Sequence, residues 1–181
     1  MRLRKGVTVA AIVVAALVTL GVEFASAVAP EQSTVYNVTY LRNDGNGKCI
    51  TTDTDLENFT YLASCDPGSE NQQYFVEPQG VDPGGHMLVR YRSVGHQDTC
   101  LGVSPSLGGT GNPGTVGSWG CLDKDTLVVW AVDYPTGNHP RFWNQYAEDH
   151  IWGRQCLDVG DQTLMALNGC NTGPYQQWSD L

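Results

Sequence analysis

Six cysteines constrain this chain more than any other feature: Cys49, Cys65, Cys100, Cys121, Cys156 and Cys170. They fall into three close pairs, separated by 16, 21 and 14 residues, and the first members recur after 51 and 56 residues. An aromatic follows each pair in a similar frame: Tyr74 in "NQQYFVEP", Trp130 in "LVVWAVDY" and Trp178 in "YQQWSDL". A similar approach precedes each pair: "YLRNDGNGKCI", "VRYRSVGHQDTCL" and "FWNQYAEDHIWGRQCL". Six cysteines allow fifteen pairings, and a repeat in this register selects the pairing within each copy. Each disulfide then closes a loop of about fifteen residues, worth about 3 kcal/mol if its effect is on unfolded-chain entropy. No CxxC or Cys/His spacing points to zinc, and no cofactor or metal is expected.

The local signals are those of strands. "HMLVRYRS" alternates Met87, Val89 and Tyr91 against Leu88, Arg90 and Arg92. "TLVVWAVDY" sets Val128, Trp130, Val132 and Tyr134 on one face, and "TLMALNGC" sets Leu164, Ala166, Asn168 and Cys170 on one face. Such period-two patterns mark half-buried strands, and Gly and Pro punctuate the gaps. The stretch 141–152 has neither and has room for a helical turn, but "RFWNQY" is aromatic-rich and reads better as strand. No amphipathic helix longer than two turns is expected. Three short all-β copies, none able to bury a face alone, imply a closed threefold arrangement, because closure removes open sheet edges.

The N-terminus has a different character. Arg2, Arg4 and Lys5 precede an apolar run over residues 6–22, and Ala25-Ser26-Ala27 follows. This is the pattern of a signal peptide over residues 1–27 cleaved after Ala27, with a short linker at 28–34 and the domain at 35–181. The chain is therefore expected to be secreted, with no membrane span in its mature form. The full chain carries a net charge of −9, and the mature part −11, since residues 1–27 hold three of ten basic and one of nineteen acidic residues. An acidic surface disfavours nucleic acid and anionic membrane as partners.

"CLDV" followed by "LNGCNTGPYQQW" in the third copy resembles the ricin B-chain type of β-trefoil lectin repeat, with its Cys-Leu-Asp-Val strand, second Cys and Gln-x-Trp. The resemblance runs from about Tyr36 to Leu181. It implies an all-β β-trefoil of three repeats of roughly fifty residues, and places Tyr74, Trp130 and Trp178 in the core. The second copy has Val128 where the pattern has Gln. The first has Gln72-Gln73-Tyr74, with Gln73-Tyr74-Phe75 as an alternative frame.

The resemblance also implies sugar sites. Each is built from an Asp two residues after the first Cys, an aromatic two before the second, and an Asn and Gln opening Gln-x-Trp. Carboxylate and amides suit vicinal hydroxyls, and an aromatic suits the C–H face of a ring. No copy holds the whole set. The third has Asp158 and Gln176, with Asn168 in place of the aromatic and Tyr175 in place of Asn. The second has Trp119, but Gly102 replaces the Asp. The first has Asn71 and Gln72, but Thr51 and Ala63 replace Asp and aromatic, with Asp53 as a substitute on the same strand face. The third repeat is thus the best candidate, in a carbohydrate-binding module with one or two live sites for a galactose- or xylose-type glycan. The alternative is a trefoil that has lost sugar binding and acts through protein contacts, with the long loop 104–117 as its surface. No enzyme is expected, because His86, His96, His139 and His150 stand in no catalytic motif. Asn37 and Asn58 open glycosylation sequons.

Overall fold

The computed structural model describes residues 37–53, 59–103, 115–121, 126–149, 153–159 and 165–179, all within the compact unit Val35–Leu181. The expected signal peptide, the Asn58 sequon, His150, Leu164 and most of the loop 104–117 lie outside these residues.

The described chain is almost entirely strand. The first copy contains β1 (Asn37–Tyr40), β2 (Arg42–Asn43), β3 (Cys49–Asp53), β4 (Phe59–Ala63) and β5 (Gln73–Val81). The second contains β6 (Met87–Ser93), β7 (Thr99–Val103), β8 (Val116–Gly120) and β9 (Trp130–Thr136). The third contains β10 (His139–Asn144), β11 (Gln155–Asp158), β12 (Ala166–Gly169) and β13 (Trp178–Ser179). Within each copy two strands form a hairpin: β3–β4, β7–β8 and β11–β12. The remaining strands form the barrel wall, in which β5 pairs with β1 and β6, β6 with β9, and β9 with β10. Strand β13 lies against β10 and pairs with β2, which returns the last strand to the first copy. The hairpins meet one another through Phe59–Gly117 pairing and the Thr115–Ala166 bridge. This is the closed threefold arrangement expected, and the disulfides are Cys49–Cys65, Cys100–Cys121 and Cys156–Cys170.

Each hairpin turns one face inward. The residue after the first Cys is Ile50, Leu101 or Leu157, and each is at most 1% exposed. Their cross-strand partners are Leu62, Ser118 and Leu167, all buried. In β12 the core face therefore belongs to Leu167, with Met165 buried beside it. Ala166 and Asn168 share the opposite face, as grouped from the sequence, and that face is the less buried one. In β6 the buried face is Val89, Tyr91 and Ser93, while Met87 at its end is exposed. Tyr134 is likewise exposed on β9, and Val128 precedes that strand in a 3₁₀ turn, Thr126–Val128. The segment read as strand from Arg141 divides after Asn144. There the Asn144 side chain accepts from the Ala147 N–H and caps a single helical turn, Gln145–Ala147.

Tyr74, Trp130 and Trp178 are fully buried in the central cluster. Each pairs across strands with a buried polar residue of the next copy: Tyr74 with Ser93, Trp130 with Asn144 and Trp178 with Asn43. The two indoles also donate to the carbonyl after the first Cys of their own copy, Trp130 to Leu101 at 2.9 Å and Trp178 to Leu157 at 3.4 Å. The Tyr74 hydroxyl instead meets Thr52 Oγ1 at 2.9 Å. Burial holds that hydroxyl well above its ordinary pKa of 10.0, and the Thr52 bond offsets only part of the rise. The folded state therefore resists ionisation that the unfolded chain undergoes freely. The stability associated with neutral Tyr74 is complete below pH 10 and falls as pH rises beyond it. Denaturant titrations from pH 8 to 11 should show this loss, and Tyr74→Phe should flatten it at a cost near neutral pH of about 1 kcal/mol.

Candidate functional site

The second face of each hairpin carries the positions that the sequence marks for ligand. In antiparallel register, Cys156 faces Asn168 and Asp158 faces Ala166, so all four share one face. The equivalent sets are Cys49, Thr51, Tyr61 and Ala63 in the first copy, and Cys100, Gly102, Gly117 and Trp119 in the second. A 3₁₀ turn lies over each face: Glu70–Gln72, Thr126–Val128 and Pro174–Gln176. The last residue of each turn is buried against the hairpin.

Gln176 is fully buried, and its amide is saturated by its own repeat. Nε2 donates to Asp158 Oδ2 at 2.8 Å and to the Gly169 carbonyl at 3.1 Å, while Oε1 accepts from the Asn171 N–H at 2.7 Å. Gln72 repeats this contact for contact. Its Nε2 donates to Thr51 Oγ1 and the Ser64 carbonyl, both at 3.0 Å, and its Oε1 accepts from the Asp66 N–H at 2.8 Å. In both copies the glutamine joins the residue two after the first Cys to the backbone on either side of the second Cys. Both amide hydrogens and the carbonyl are engaged, so these glutamines clasp the repeat and orient the neighbouring side chain. Asp158 is the one carboxylate among the three equivalent positions, and it is 7% exposed.

The second copy replaces this polar clasp with apolar packing. Val128, with Trp119, packs on the Cys100–Cys121 disulfide. A Cβ at Gly102 would lie 2.8 Å from Val128 Cγ1, 2.9 Å from the Leu127 carbonyl and 2.9 Å from Trp119 Cδ1. The loss of Asp and the loss of Gln are therefore one change: the turn has moved onto the strand, leaving no room for any side chain at Gly102. Trp119 is half-buried in this packing, and its indole N–H has no hydrogen-bond partner among the described residues.

The other expected site residues are dispersed. Asn168 is exposed on the Asp158 face. Tyr175 lies against Gly45 of the first copy, where an added Cβ would come within 2.4 Å of its ring. Asn71 makes the same kind of approach to Gly95 of the second copy, with Oδ1 2.6 Å from the place of a Cβ. The residue before each clasping glutamine therefore covers a turn of the next repeat. Asp53 ends β3 opposite Phe59, two rungs from Thr51. Two groups of residues were missed in the sequence. Tyr61 faces Thr51 across the hairpin. Asn43 and Asn144 donate across the repeat boundary to Tyr175 and Leu127 carbonyls at 2.9 and 2.8 Å. Their common signal is a polar residue several positions before the first Cys, visible only once the plugs' cross-strand partners are known.

No family model and no curated protein sequence matches the chain. Solved structures do match. A Macrolepiota procera ricin B-like lectin in complex with lactose superposes with a TM-score of 0.59 over 82% of this chain and 97% of its own, at 16% identity. The fold is the β-trefoil. The designed threefold-symmetric protein ThreeFoil superposes equally well, at 0.59 and 16% identity over 80% of this chain and 97% of its own. An exo-β-1,3-galactanase from Clostridium thermocellum reaches 0.61 at 16% identity over 80% of this chain, but over only 30% of its own length. The trefoil thus accounts for nearly all of a lectin in one neighbour and for a minor part of an enzyme in another.

Gln176→Ala would remove one donor each from the Asp158 carboxylate and the Gly169 carbonyl, and the side-chain acceptor of the Asn171 N–H. A loss of roughly 2–4 kcal/mol is expected in urea unfolding, against less than about 1 kcal/mol for the neighbouring surface change Gln177→Ala.

Proposed function

We propose that this chain is a secreted carbohydrate-binding module whose sugar site is the Asp158 face of the third repeat. The reading rests on one observation: Asp158 is the single carboxylate at the three equivalent hairpin positions, and buried Gln176 holds it in place at 2.8 Å. A carboxylate fixed in this way accepts from two neighbouring hydroxyls without losing rotamer entropy on binding. Exposed Asn168 on the same face supplies an amide. Gln176 acts through Asp158, its own polar atoms being already engaged. Tyr175 stands beside Gly45 at the edge of this turn as the stacking surface for a ring. A ricin B-like lectin neighbour in complex with lactose supports a glycan of galactose type; xylose-type sugars are the second class.

Sites that are shallow and wet bind single sugars weakly, so avidity is needed for detection. The second face is filled by Trp119 and Val128, and in the first Gln72 is engaged by its own repeat, Asn71 covers the Gly95 turn and Thr51 stands in place of a carboxylate. One live site is therefore the expected number, and no catalytic step is assigned. The protein-contact reading draws its support from the same apolar filling of the second face.

The test is a glycan array read with the parent chain and with Asp158→Asn, which keeps an acceptor for Gln176 and removes the charge. Binding to galactose- or xylose-type glycans that falls at least tenfold in the variant, at unchanged melting temperature, is the expected outcome. Equal binding by both proteins would move the site elsewhere. No binding by either would leave the trefoil to protein partners.

A further inference from the structure

The Asp158 face does not end with its own repeat. On β12, Ala166 stands directly opposite Asp158. On its other side Ala166 pairs with Thr115, the residue that leads into β8 of the second copy. Residues paired across antiparallel strands point to the same side of a sheet. Asp158, Ala166 and Thr115 therefore form one row across three strands, and the row crosses a repeat boundary. Alternation along β8 gives the same placement independently. Val116 lies in the central cluster and Ser118 is buried opposite Leu101, whereas Gly117 and Trp119 share the outer face with Gly102 and Cys100. Thr115 falls on that outer face.

The face is closed at one end and open at the other. Gln176 engages Asp158, the Gly169 carbonyl and the Asn171 N–H together, so the turn Pro174–Gln176 covers the end of the hairpin nearer the disulfide. Toward the second copy the side chains are small. Ala166 carries a methyl group, and Gly117, two positions beyond Thr115 on the same face, carries none. Ala166 and Thr115 are half-buried and Asn168 is exposed. Neither the Thr115 hydroxyl nor the Asn168 amide makes a hydrogen bond to another described residue. The backbone here does not need that hydroxyl. It is held by the bridge to Ala166 and by Thr60 Oγ1, which donates to the Val116 carbonyl at 3.2 Å.

Strand spacing sets what the row can read. Neighbouring strands lie about 4.8 Å apart, so Thr115 stands about 10 Å from Asp158. The hydroxyls of one sugar ring do not reach across both positions, whereas a glycosidic bond places a second ring there. Thr115 meets such a ring with a hydroxyl that donates and accepts, and with a methyl group for its C–H edge.

We infer that the Asp158 face takes a glycan of at least two sugars, and that Thr115 of the second copy selects for the second one. The first ring lies on Asp158 and Asn168, and its neighbour crosses Ala166 to reach Thr115. The inference rests on the Asp158 reading of the preceding section. It adds a specificity contact from another repeat and a preference for linked over single sugars.

The experiment is a titration of the ¹⁵N-labelled protein, followed through the Asn168 and Thr115 amides. The probes are two pairs: methyl β-galactoside with lactose, and methyl β-xyloside with xylobiose. In at least one pair the disaccharide should bind about fivefold more tightly than the methyl glycoside, the gain expected of one further hydrogen bond. Thr115→Val keeps the shape of the side chain and removes the hydroxyl, and should bring that ratio close to one. Thr115→Ser keeps the hydroxyl and should retain most of the preference. Asp158→Asn should weaken both members of the pair at least tenfold. A ratio near one in the parent, with both sugars still dependent on Asp158, would overturn the inference and leave the Asp158 reading standing. A preference that survives Thr115→Val would do the same. Binding indifferent to Asp158→Asn, or no binding of any probe, would overturn both.

Discussion

The fold depends on three buried aromatics, each paired across strands with a buried polar residue of the following copy. Tyr74 faces Ser93, Trp130 faces Asn144, and Trp178 faces Asn43. Each pair joins two repeats, and the third joins the end of the chain to its beginning. No copy could keep its plug buried alone, because a hairpin and one wall strand have a single apolar side. Truncating such a residue to Ala in a packed core costs about 3–5 kcal/mol. The polar partner then opens the turn that leads into the next hairpin. Asn43 Oδ1 accepts from the Gly45 N–H at 3.1 Å, Ser93 Oγ from the His96 N–H at 3.2 Å, and Asn144 Oδ1 from the Ala147 N–H at 3.2 Å. Closure of the barrel and entry into each hairpin are thus set at one point per repeat.

Outside this centre, the three copies have diverged in ways that remain self-consistent. Glutamine clasps two hairpins through buried hydrogen bonds, and valine clasps the third through packing, with glycine opposite because nothing larger fits. A half-exchange would be costly in either direction. Glutamine in the second copy would find no side chain at Gly102 to donate to, and valine in the third would remove the Gln176 donor to Asp158. The wall arginines follow the same logic with a different outcome. Arg141 donates to both Asp133 oxygens, whereas the two oxygens of Glu77 are divided between Arg90 and Arg92.

Much of the architecture is legible in the residues. Cysteine spacing selects the three pairings, and recurring aromatics mark the plugs. The strand faces are less legible. In "TLMALNGC" two apolar sets alternate, Leu164 and Ala166 against Met165 and Leu167, and only packing against the central cluster selects the second. "RFWNQY" continues the strand pattern through Gln145 and Tyr146, but Asn144 caps a helical turn there, because its amide is needed across the repeat boundary. The candidate site divides in the same way. Asp158 and Gln176 could be named from spacing, but that Gln176 has no polar atom left for a ligand could not.

By itself, the sequence determined the number of repeats, their disulfides, the residues at the core and the closed all-β class. These depend on spacing and on apolar content, which are properties of the chain in order. Tertiary structure alone decided which repeat keeps an oriented carboxylate, why Gly102 accompanies Val128, and that Arg90 and Arg92 share a single glutamate. Those outcomes depend on distances between strands far apart in sequence, where a few tenths of an ångström separate a hydrogen bond from a clash.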